Sequence, residues 1–172
     1  MLNWANRFST FCFLDNHNYN SPLNSVECVL GAGVRSSLEI YEHRGLEQLH
    51  QFISEKNSWL FGHLGYDLKN EIEQTSSSHD DNVGFPTLFF FEPDVLIRFN
   101  KRELTIETSG EDPQEILNEI LNARSFNRHV QPSIRLSSRL GRQEYIRIIE
   151  EPKSHILRGD CYEINFCQEF FS

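Results

Sequence analysis

Cysteine and basic clusters are scarce in this sequence, and each shortage excludes something. The four cysteines, Cys12, Cys28, Cys161 and Cys167, contain no C-x-x-C pair in a chain of 172 residues. That is too few and too scattered for a disulfide scaffold, so they are expected to be reduced and to behave as small hydrophobes. Lys and Arg number 16 against 25 Asp and Glu, a net charge of −9, and no basic run exceeds two residues. Nucleic-acid binding rests on phosphate neutralisation by such cations and is not expected. There is no apolar run of the ~18 residues a membrane helix needs. Met1 is followed by Leu-Asn-Trp-Ala-Asn-Arg, without the apolar core of a signal peptide. A soluble, cytoplasmic chain is the expectation, with no membrane partner.

Chemical motifs are short as well. No HExxH, glycine-rich phosphate loop or nucleophile motif occurs. Glu71 and Glu73 have no partners at metal-ligand spacing, so no metal ligand is assigned in this chain. The seven His stand singly.

What the chain does have is 14 Phe among 38% apolar residues, enough for a ring-rich core. Apolar runs predict strands over Phe11–Leu14, Ser25–Leu30 (stopped by Gly31-Ala32-Gly33), Ser37–Tyr41, Trp59–Asp67, Leu88–Glu92, Val95–Phe99 and Glu103–Thr108. Asn-rich residues 15–22 and polar residues 74–84 predict loops. Helical periodicity predicts a helix over 45–56 and another after Asp112-Pro113, with Asp112 as cap. A last helix starts near Gly141-Arg142, with Tyr145, Ile148, Ile149, Ile156 and Leu157 on one face, and Pro152 inside it should kink it or split it at Glu151. Residues 125–140 read as a connector with one edge strand. Strands and helices cluster without βαβ alternation, which predicts an α+β fold with largely antiparallel sheets and flanking helices.

In the strand over Trp59–Asp67, His63 and Asp67 alternate onto one face and Tyr66 onto the other. The pair suits either acid–base chemistry or a hydrogen-bonded contact at a sheet edge. After the last helix, Gly159-Asp160 turns the chain into an alternating run, Cys161 to Phe171. A strand of that length requires a neighbouring sheet, so the chain reads as the front part of a longer protein.

That terminal segment resembles a known family. Ile156-x-x-Gly159-Asp160-Cys161-Tyr162-Glu163-Ile164-Asn165-Phe166-Cys167-Gln168-x-Phe170 is similar to the motif opening the chorismate-binding domain in component I of aminodeoxychorismate synthase and of anthranilate synthase. Phe61-Gly62-His63-Leu64-Gly65-Tyr66-Asp67-Leu68 with Glu71 resembles the family's glycine-spaced strand, and Phe85-Pro86, Phe89–Phe91 and Asp94–Ile97 its next hairpin. The departures are Glu163 for Gln, Phe166 for Leu, Gly141 for a Thr or Ser cap, and Pro152.

The resemblance implies the N-terminal part of the layered sandwich of anthranilate synthase component I, as a domain over 1–140. The catalytic domain would start over 141–172. It also implies amination of chorismate, with ammonia from a glutamine amidotransferase partner and Mg²⁺ in the full-length enzyme. The family's catalytic lysine and Mg²⁺-binding glutamates match no position in this chain, so residues 1–172 alone are expected to be inactive. Tyr162-x-x-Asn165, the short region before the Gly-Asp motif, and Leu14-Asp15-Asn16 in place of Leu-Leu-Glu-Ser favour the aminodeoxychorismate branch, toward para-aminobenzoate and folate, over anthranilate synthase. The tryptophan pocket of some relatives maps onto Asn16, Leu23, Asn24, Ser25, Val26, Tyr162 and Asn165. A free-standing small-molecule binding or interaction module is the reading from another class.

Overall fold

A computed structural model describes residues 1–17, 19, 27–41, 44–73, 75–76, 81–124 and 134–172. The chain separates into two compact units, Met1–Phe126 and Asn127–Ser172.

In the first unit, a short helix α1 (Leu2–Ala5) precedes strands β1 (Phe11–Asp15), β2 (Cys28–Ala32) and β3 (Ser36–Ile40). Helix α2 (Gly45–Ser54), strand β4 (Phe61–Leu64) and helix α3 (Lys69–Glu73) follow. Strands β5 (Leu88–Glu92), β6 (Val95–Phe99) and β7 (Leu104–Thr108) then lead to α4 (Pro113–Asn122). Two antiparallel sheets result, ordered β1-β2-β6-β7 and β3-β5-β4. With the flanking helices this is the α+β architecture the sequence predicts.

Period-two alternation in β2 and β6 sends side chains to two different cores. Leu30, Ala32, Val95 and Ile97 face Trp4 and Ala5 of α1 and Ile116 of α4. Leu96, between Val95 and Ile97, turns the other way onto Phe61 and Phe91 of the three-stranded sheet, flanked by Cys12, Val29 and Phe89. The unit is therefore layered: helices, four-stranded sheet, three-stranded sheet.

Gly31 does not stop β2 as expected. The strand runs on through Ala32, pairing Gly31 with Cys12 on one side and Leu96 on the other. A Cβ at Gly31 would lie 2.6 Å from the Phe61 ring, so glycine here is a packing requirement between the sheets.

Helix ends are capped from different sources. Asp112 accepts the Gln114 N–H at 2.9 Å, with Pro113 in the first helical position. Arg44, preceding α2, is left-handed (φ 68°) and gives no side-chain cap. Its place is taken from α3, where Glu71 accepts the Gly45 N–H at 2.7 Å and the Leu46 N–H at 3.4 Å.

The second unit contains β8 (Ser137–Ser138), helix α5 (Arg142–Arg158) and β9 (Phe170–Phe171), with β8 and β9 antiparallel. Of the two outcomes expected at Pro152, a kink or a split, the split does not occur: α5 is one helical run through Pro152, since the missing N–H removes a single rung that the turns on either side bridge. Its apolar residues are not buried either: Leu157 is 87% exposed, and Tyr145 alone among those named meets another ring, that of Phe166 at 5.5 Å. The expected strand from Cys161 is confined to Phe170–Phe171, and 161–169 carry no regular structure. Among the described residues only the two of β8 offer it a ladder, and a strand extends no further than its partner.

Candidate functional site

The segment bearing the family motif begins at the C-terminus of α5. Gly159 is left-handed (φ 82°). Its N–H donates to the Ile156 carbonyl at 3.0 Å, and the Asp160 N–H donates to the His155 carbonyl at 3.0 Å. This double closure ends the helix and needs a residue without a Cβ in the left-handed position. The Asp160 carboxylate adds a clamp, accepting from Arg158 Nη2 at 2.8 Å and Nε at 3.1 Å and lying 2.8 Å from His155 Nδ1. The direction in which the chain leaves α5 is thereby set, and with it the start of the segment carrying Tyr162 and Asn165.

Tyr162 and Asn165 are both exposed, the Tyr162 ring fully so at 102%. Asn16 lies at the end of β1 in the other unit, its N–H on the Glu27 carbonyl at 2.9 Å and its Nδ2 donating to the Tyr19 carbonyl at 3.5 Å. Leu23, Asn24, Ser25 and Val26 fall outside the described residues. The structure thus places Tyr162 and Asn165 on one segment and Asn16 on a separate one.

His63 and Asp67 do not share a strand. β4 ends at Leu64, the Gly65 N–H donates to the Thr87 carbonyl at 2.7 Å, and Tyr66–Leu68 turn as a 3₁₀ helix. Glycine at 65 lets the chain leave the sheet against Thr87, which the sequence pattern hid by reading Gly65 as part of the strand. The His63 Nε2 bond goes to the Pro86 carbonyl at 3.1 Å, and Asp67 lies 3.7 Å from Lys69 Nζ. Both residues line an open cavity of about 600 Å³ with Tyr66, Glu71, Asp81 and Phe85.

This cavity does not fit a divalent cation. Glu71 is engaged by the α2 amides. The Asp81 carboxylate accepts the Val83 N–H at 2.9 Å and the Gly84 N–H at 3.1 Å, and these bonds hold its pKa below the usual carboxylate value. Among the described residues no group of three or more His, Cys, Asp or Glu is arranged to hold a metal ion.

Sequence reasoning missed Glu92, the buried polar residue at the end of β5, 6% exposed. Ser36 Oγ and Ser58 Oγ each donate to it at 2.9 Å, Arg35 Nη1 donates at 3.2 Å, and Lys56 Nζ lies 3.4 Å away. Burial pushes its pKa up, but the bonds from Ser58, Ser36 and Lys56 outweigh burial and leave it lowered. Its only signal in the sequence is a charge closing the apolar run Leu88–Phe91.

Comparison with known proteins agrees with the motif. The family described as chorismate binding enzyme matches residues 12–172. Anthranilate synthase component 1 of Thermus thermophilus is 25% identical over 114 residues, 60% of this chain and 25% of that protein. An anthranilate synthase component I-like protein of Synechocystis is 25% identical over 120 residues, 66% of this chain and 24% of its own length. The matched part of this chain therefore spans about a quarter of either relative. With a match running from the first strand of the four-stranded sheet to Ser172, the chain belongs to the chorismate-binding enzyme family.

Proposed function

We propose that this chain is the N-terminal portion of component I of an aminodeoxychorismate synthase. The observation that carries the reading is the segment Gly159-Asp160-Cys161-Tyr162-Glu163-Ile164-Asn165, set by the closed and clamped end of α5. Tyr162-x-x-Asn165 is the feature that favours this branch. In the reaction, ammonia from a glutamine amidotransferase partner forms a bond to C4 of chorismate, and the C4 hydroxyl leaves as water. The whole enzyme is proposed to use Mg²⁺ held by residues outside this chain. Tyr162 and Asn165 are proposed to contact tryptophan, through ring packing and the two-way hydrogen bonding of the amide.

The second reading is anthranilate synthase component I, favoured by the names of both relatives reported above. The test is the full-length protein with chorismate, ammonium and Mg²⁺, its products resolved by mass spectrometry. Aminodeoxychorismate supports the first reading, anthranilate selects the second, and the absence of any aminated product overturns both. Tryptophan added to the same assay should inhibit wild type more than Asn165→Ala; equal inhibition of the two, or none of wild type, removes the tryptophan contact.

A further inference from the structure

The cavity that His63 and Asp67 line has no part in the proposed amination. At about 600 Å³ it falls within the size range of small-molecule sites. Its walls combine ring faces with hydrogen-bond acceptors. Tyr66 and Phe85 are 84% and 75% exposed, so both rings are open to a ligand, and Phe85 lies 6.3 Å from the His63 ring. The carboxylates of Asp67, Glu71 and Asp81 share these walls, and among the described residues no Lys or Arg lines them.

Glu71 is engaged by the α2 amides, but the other two carboxylates are within a ligand's reach. Asp67 is exposed and accepts no hydrogen bond among the described residues. Lys69 Nζ stands 3.7 Å from it, beyond bonding distance, and donates instead to Asn70 Oδ1 at 2.7 Å. Exposed Asp81 takes the Val83 and Gly84 amides on Oδ1, and neither bond uses Oδ2. His63 Nε2 faces the Pro86 carbonyl. A carbonyl only accepts, so Nε2 carries the proton and Nδ1 of the neutral ring is a further acceptor. A metal ion needs converging ligands, and the described residues hold none. An organic ammonium needs only a carboxylate and a ring face, whose quadrupole attracts it. Lys69 already shows that preference, its ammonium lying 5.3 Å from the Tyr66 centroid.

We infer that this cavity binds a primary organic ammonium carrying an apolar body of single-ring size, with the ammonium on Asp67 and the body against the exposed rings. The site lies wholly within the first unit and is independent of the amination proposed above, so failure of either leaves the other standing.

The experiment is calorimetric titration of the full-length protein at neutral pH with three probes. Benzylamine, protonated under these conditions, carries both charge and ring; benzyl alcohol lacks the charge and methylamine lacks the ring. Benzylamine should bind saturably, and each of the other two about tenfold more weakly or not at all. Asp67→Asn should weaken benzylamine binding by about tenfold and Tyr66→Leu by about threefold. Both residues are exposed, so the thermal transition should not move. No saturable binding of benzylamine, equal affinity for either control probe, or unaltered affinity in either variant would overturn the inference. If the variants fail to fold, wild type with labelled Tyr and Phe rings decides by NMR. Bound benzylamine should then show nuclear Overhauser contacts to both ring types, and contacts to neither would also overturn it.

Discussion

Glu92 concentrates more of the first unit's polar bonding than any position the sequence singles out. Its carboxylate joins β5 to Arg35 and Ser36 at the start of β3 and to Lys56 and Ser58 before β4. Because the folded pKa is lowered, its contribution to stability is present above the unfolded value near ~4.3. That contribution is lost as pH falls from there through the folded value. Glu92→Gln should therefore cost about 1–3 kcal/mol at neutral pH, and urea denaturation should show the gap to wild type narrowing below about pH 4. An equal gap at neutral and acidic pH would mean the charge plays no part. The residue was hard to find in the sequence because a charge after Leu-Phe-Phe-Phe reads as the solvent end of a strand. Only the fold shows that four donors from two segments meet there.

Among the elements, α2 has the most unusual support, since its first amides are capped by another helix. Glu71→Ala should remove that cap and leave the Gly45 and Leu46 N–H groups to solvent, at a cost of about 1 kcal/mol. Thermal denaturation measures it, and a melting temperature equal to wild type would show the contact to be incidental. Glu71 stood out in the sequence as part of the family's glycine-spaced segment and as an acidic residue without metal-ligand partners, never as a cap, because a contact between residues 45 and 71 has no local pattern. By contrast β5, β6, α4 and the Asp112 cap were legible, since alternation, helical periodicity and an Asp-Pro start are local properties. The elements misread share one cause. Gly31 looked like a stop and Gly65 like a strand residue, and in each case a neighbouring strand decides the matter. The strand expected from Cys161 reflected side-chain alternation alone, which specifies a face but supplies no ladder partner. Of the residues that the resemblance assigns to a tryptophan pocket, Tyr162 and Asn165 were legible as a motif, and both are exposed in the structure.

For the molecule as a whole, the two units differ in how they are held. Every buried residue among those described belongs to the first unit, from Trp4 to Ile116. α5 and the motif segment rest on a helix cap, ion pairs and the Tyr145–Phe166 contact. The motif residues are thus placed by backbone closure rather than by core packing. The layering of the first unit has a further consequence. β2 and β6 form a partition whose two faces serve separate cores, and only their backbone is common to both. A void opened beside Ile116 cannot be filled from the Phe91 side without moving a hydrogen-bonded ladder. Losses from Ile116→Val and Phe91→Leu should therefore sum in the double variant to within about 0.5 kcal/mol, and a larger coupling in denaturant titrations would show that strain crosses the partition. If they do sum, the helical face can drift in sequence without compensating change on the inter-sheet face, so the two sides of one sheet evolve as separate parts.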